Sequence, residues 1–108
     1  MVSEQLDMTF AALSDATRRG ILERLSAGEA TVGEIAAPYE MSMAAVSKHL
    51  KVLEKAGLIT RSKKAQWRHC RLEAAPLADA MKWVEKYKGF WDDGLNRLDH
   101  FLKKQMTD

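Results

Sequence analysis

Cysteine is nearly absent from this 108-residue chain: Cys70 stands alone. No internal disulfide can form, which suits a reducing compartment and makes a cytoplasmic location the expectation. Proline is almost as scarce, at Pro38 and Pro76, and six glycines are spread along the length. So few breakers leave room for long helices. Long apolar runs are missing too. No apolar segment follows Met1, and charges interrupt every hydrophobic stretch, so neither secretion nor a membrane partner is expected. There is no glycine-rich phosphate cradle, no pair of carboxylates on an apolar background, and no His and acid arranged beside Ser14, Ser42 or Ser47. Enzymatic activity is not expected. At 46% hydrophobic and 30% charged residues, residues 1–108 are expected to form one globular domain.

Positive charge is abundant in one place. Between Met43 and Leu72 there are eight Lys or Arg (Lys48, Lys51, Lys55, Arg61, Lys63, Lys64, Arg68, Arg71) against one acid, Glu54. That segment carries +7, which leaves −5 for the rest of a chain whose total is +2. Such asymmetry points to a polyanionic partner, and double-stranded DNA is the expected one.

The order of elements agrees with the charge. Leu6, Phe10 and Leu13, with Met8 and Ala12 beside them, are spaced as one face of a first short helix. Ser14 or Asp15 caps a second helix reaching about Ala27, with Ile21, Leu22 and Leu25 inward and Gly28 as its stop. Thr31 and Glu34 have capping-box spacing for a third helix, Val32 to Ala37, which Pro38 ends. Ser42 caps a fourth, Met43 to Ala56, and Gly57 closes it. On that helix Val46, Leu50 and Leu53 share a narrow apolar arc, whereas Ala44, Ser47, Lys48, Lys51 and Lys55 lie opposite. Leu58–Ser62 and Trp67–Leu72 are β-prone and predict a two-stranded hairpin joined through Lys63, Lys64, Ala65 and Gln66. Pro76 suits the first turn of a last helix, expected as one rod to about Lys104. Leu77, Ala80, Val84, Tyr87, Trp91, Leu95, Leu98 and Leu102 form its stripe, flanked by Trp83, Phe90 and Phe101. A rod of nearly thirty residues exceeds 40 Å at ~1.5 Å per residue, too long for its own domain to cover. Gly89 is a possible kink, and Gly94 permits close helix approach.

A helix, a tight turn, a second helix and a basic ribbon place one helix in the major groove. Small Ala44 and Ala45 let that helix approach base edges. Lys48 suits guanine O6 or N7, Ser47 base or phosphate, and Lys51 and Lys55 phosphate. Lys63 and Lys64 ride over the backbone or enter the minor groove, with Arg61, Arg68 and Arg71 nearby. His49 is expected to pack or meet phosphate, Trp67 to pack, and Cys70 to fill a strand position rather than act as a redox thiol. Arg18 and Arg19 pair with acids or touch phosphate.

At these residues the chain resembles a known family. FAALSDATRRGILERLSAG, then TVGEIA, then SMAAVSKHLKVLEKAGLI, is similar to the ArsR-type winged helix-turn-helix repressors of bacteria, from about Phe10 to Leu72. MarR-type winged helices are the nearest competitor but usually carry longer flanking helices. The resemblance implies a mainly α fold of five helices with a small β-hairpin: a helix-turn-helix at 31–56, a wing at 58–72, and dimerisation helices at 1–13 and 76–104. It also implies a homodimeric repressor on a pseudo-palindromic operator, with Ser42, Met43, Ala44, Ser47 and Lys48 facing bases or backbone. Leu6, Phe10, Trp83, Tyr87, Trp91, Leu95, Leu98 and Leu102 then form the dimer surface. The Cys-x-Cys that many such sensors carry is replaced by Thr31 and Gly33, and the last helix offers Asp92, Asp93 and Asp99 with one histidine, His100. No metal site and no cofactor are expected. Alternative readings are a winged-helix protein-interaction module, or a metal- or redox-responsive sensor of the same type.

Overall fold

The structure, a computed structural model, describes residues 2–64 and 67–107. In chain order the elements are α1 Val2–Leu13, α2 Ala16–Ser26, β1 Ala30–Thr31, α3 Val32–Ala36, α4 Met43–Lys55, β2 Ile59–Lys64, β3 Trp67–Leu72, α5 Ala75–Glu85 and α6 Lys88–Thr107. Three short strands form one antiparallel sheet in the order β1-β3-β2, with Ala30 opposite Cys70 and Arg61 opposite Cys70 on its other side. The fold class is the expected mainly helical winged helix-turn-helix.

Local chemistry accounts for most of the boundaries. Asp15 caps α2 by accepting from the Arg18 backbone N–H at 3.1 Å. Thr31 and Glu34 form both halves of a capping box on α3, at 3.1 and 3.0 Å. Gly28 and Gly57 lie at φ +145° and +75° where α2 and α4 end, conformations that a side chain resists. Pro76 lies in the first turn of α5, which has no side-chain cap.

The core lies between α1, α2, α4 and the sheet. Ile21, Leu22 and Leu25 of α2 meet Val46, Leu50 and Leu53 of α4, with Ile35, Leu58, Ile59 and Cys70 completing the cluster. Each such aliphatic side chain contributes about 1.5–3 kcal/mol on leaving water.

Three expectations need correction. The hairpin is part of a three-stranded sheet, because Ala30 and Thr31 add a two-residue strand to β3. Two residues are too few to show a strand period. Lys63 and Lys64 belong to β2 rather than to the connecting turn, opposite Arg68 and Trp67; Ala65 and Gln66 lie outside the described residues. The terminal rod is two helices, so the described residues hold six helices instead of five. Its break is at Lys86–Tyr87, ahead of Gly89, where the helical ladder tightens to Lys86 N–H→Trp83 O and Tyr87 N–H→Val84 O bonds. Ala80 is the last buried residue before that joint. Helix α6 then projects outward, giving extents of 67 × 35 × 21 Å and a radius of gyration of 18.9 Å. A compact chain of this length would have about 13 Å. No helix among the described residues is long and apolar enough to cross a membrane.

Candidate nucleic-acid interface

Helix α4 is aimed by its ends and by its buried side. Ser42 accepts from the Ala45 N–H at 3.1 Å, satisfying one of the free donors of the first turn. At the other end Gln5 of α1 donates to the Ala56 carbonyl at 2.8 Å and to Thr9 Oγ1 at 3.3 Å. Thr9 is itself buried and donates to the Gln5 carbonyl at 3.0 Å. With Val46, Leu50 and Leu53 inside, helical periodicity turns Ser42, Met43, Ala44, Lys48, Lys51 and Lys55 outward, and leaves Ser47 half-buried among them.

Middle anchorage comes from Arg18. Its guanidinium donates to the Ala12 and Ala11 carbonyls at 2.8 and 3.0 Å, capping the C-terminus of α1. It also reaches His49 Nδ1 at 3.2 Å. A guanidinium has only donors, so in this contact Nδ1 is the acceptor. Asp15 Oδ2 lies 3.8 Å from the same ring nitrogen. The backbone N–H of Arg18 is the main reason that the Asp15 carboxyl titrates below its ordinary value. Arg19 donates to the Leu13 carbonyl at 2.7 Å. Both arginines thus close the end of α1. Neither this nor the role of Gln5 was visible in the sequence, although the Thr-Arg-Arg run beside a helix end was a usable signal.

The eight cations of the basic segment separate into two groups. Arg61 Nη1 is 4.0 Å from Glu54, and its side chain is only 16% exposed. Lys64 Nζ is 3.0 Å from Glu29, and Arg71 is 3.0 Å from Glu73. The Lys64 bond is the largest cause holding the Glu29 carboxyl below its usual range, and His69 Nδ1 adds a second neighbour at 3.2 Å. Lys48, Lys51, Lys55, Lys63 and Arg68 are exposed and, among the described residues, make no ion pair. Lys63 and Arg68 stand opposite each other across the wing. The open face running from the start of α4 to the wing is therefore cationic.

Two side chains differ in surroundings. Cys70 is buried, and burial pushes its thiol above the ordinary value, so it is a packing residue and a poor thiolate. Trp67, expected to pack, is 59% exposed. It begins β3 at the mouth of a groove shared with Ala44, Ser47 and Arg68. In an antiparallel pair a tryptophan at the far end of the wing has no core to reach.

The residues expected between two copies lie on α1, on α5 and α6, and at the joint between these two. Leu6 is half-buried, and Phe10 meets Trp83 edge-on at 5.7 Å between ring centroids. Tyr87 lies 5.4 Å from Trp83. Farther out, Trp91, Leu95, Leu98 and Leu102 are half or more exposed, with Phe90 and Phe101 beside them.

Residues 13–62 match the helix-turn-helix domain family. The chain is 33% identical to the transcriptional repressor SdpR of Bacillus subtilis (strain 168), across 83% of its own length and 100% of that protein. Among solved structures it is similar to the ArsR family transcriptional regulator RHA00566, at 39% identity and a TM-score of 0.77, covering 83% of this chain and 93% of that one. It is also similar to the homodimeric winged helix-turn-helix DNA-binding domain, fragment 1-100, of Mb0332 from Mycobacterium bovis, a possible ArsR-family regulator. There the identity is 25% and the TM-score 0.64, with 81% and 82% of the two chains covered.

Proposed function

Because this chain belongs to the ArsR-type winged helix-turn-helix transcriptional regulators, we propose that it is a homodimeric repressor gripping a pseudo-palindromic operator. One observation carries the reading. Five cations that make no ion pair among the described residues, Lys48, Lys51, Lys55, Lys63 and Arg68, lie exposed on α4 and the wing. The acid of that segment, Glu54, is turned toward Arg61. Repression is supported by the likeness to SdpR, and pairing by the likeness to the homodimeric Mb0332 domain.

In this arrangement the first turns of α4 enter the major groove. Met43 and Ala44 come close to base edges, Lys48 donates to guanine O6 or N7, and Ser42 and Ser47 meet base or phosphate. Lys51 and Lys55 neutralise phosphates farther along, while Lys63, Lys64 and Arg68 follow the flanking backbone. Arg61, mostly covered and beside Glu54, orients the wing behind that row. The two α4 helices of a dimer would sit about 34 Å apart, one turn of the duplex.

The test is binding to duplex DNA from upstream of the chain's own coding region, compared with random duplex. Lys48→Ala is expected to lose discrimination between the two. Lys63→Ala is expected to weaken both alike and to lower the salt slope by about 1 per protomer. Identical losses on both duplexes for both variants would overturn the assigned roles. Absence of binding to any duplex at low salt would overturn the function.

A further inference from the structure

Trp67 is a large apolar ring left half in water on a face otherwise crowded with cations. Among the described residues it meets no other ring and no cation. Indoles bury 150–250 Å² when they find a partner, so one held open on a functional face marks a contact surface. Its position is defined by β pairing: Lys64 stands opposite, and Arg68 follows it in the chain.

The groove beside it runs between the start of α4 and the wing. Its lining includes Met43, Ala44, Ser47, Arg61, Trp67 and Arg68, and none of its lining residues is acidic. With α4 in the major groove and the wing over the neighbouring backbone, the chain segment lying between them is one sugar–phosphate strand. Resting on the DNA-binding reading above, we propose that this groove seats that strand, with Arg68 pairing a phosphate and Trp67 covering the adjoining deoxyribose. The chemistry matches on both counts. Indole N–H is a donor only, suited to a phosphate oxygen, and its ring face suits the C–H groups of the sugar. Trp67 lines the groove wall, so it lies along the strand instead of wedging between base steps.

Trp67→Ala, Trp67→Phe and Lys48→Ala would be compared with wild type by anisotropy on labelled upstream and random duplexes at one salt concentration. Trp67→Ala is expected to raise Kd about tenfold on both duplexes, the size of one lost aromatic contact. Trp67→Phe, which keeps a ring and the fold, is expected to lose only about twofold. Wild-type tryptophan emission should change when unlabelled duplex is added, and Trp67→Phe should lack that change. The proposal is overturned if Trp67→Ala binds like wild type and emission does not respond while Lys48→Ala still loses discrimination; the DNA reading then stands without it. A loss confined to the upstream duplex would also overturn it, by making Trp67 a base reader. If wild type binds neither duplex, the DNA reading falls first.

Discussion

Lys64 and Lys63 are neighbours in the chain with different fates. Lys63 is open, whereas Glu29 holds Lys64 at 3.0 Å and competes with phosphate for it. Removing that competitor should strengthen binding. Glu29→Gln is expected to lower Kd several-fold on specific and random duplex alike and to steepen the salt slope by about 1 per protomer. An unchanged slope would mean that Lys64 never reaches DNA. Arg18 is the second decisive residue, because its fork serves two carbonyls and His49 at once. A lysine keeps the charge but not the fork. Arg18→Lys is therefore expected to cost about 2 kcal/mol, seen as a lower urea midpoint with unchanged m-value.

At the scale of elements, helix α4 is held at both ends and in its middle, by the Ser42 cap, the Gln5 bond at its C-terminus and the Arg18–His49 contact. Its exit into the wing depends on Gly57 at φ +75°, where a Cβ would meet Pro76 at an ordinary 3.7 Å. Strain is then backbone strain alone, and Gly57→Ala is expected to cost about 1 kcal/mol. Thermal unfolding should show it as a fall of roughly 5 °C in Tm. The ends of these helices were largely legible beforehand, since Asp15, Thr31–Glu34, Ser42 and Gly57 are signals carried within four residues. The joint at Lys86–Tyr87 was not, because it depends on where core packing stops.

For the whole molecule, the unanswered demand is the apolar side of α6. A 20-residue helix is about 30 Å long, and its Trp91, Leu95, Leu98 and Leu102 stripe is left half or more exposed by the described residues. On the proposed dimer reading, a second copy would supply a matching stripe under two-fold symmetry. Leu98→Glu would place a charge in the middle of that contact. Sedimentation equilibrium is expected to give twice the chain mass for wild type and the single mass for the variant, with operator affinity down by at least roughly tenfold from lost bivalency. A variant that stays paired would locate the dimer surface elsewhere.

The sequence alone determined what local rules encode: the capped helices, the inward arc of Val46, Leu50 and Leu53, and the concentration of charge between Met43 and Leu72. Tertiary structure decided which of those charges remain free, that Trp67 faces water, that Ala30–Thr31 joins the sheet, and that the terminal rod breaks. The physical reason is distance along the chain. Gln5 and Ala56 are 51 residues apart, Arg18 and His49 are 31 apart, and no local pattern states that such groups will meet.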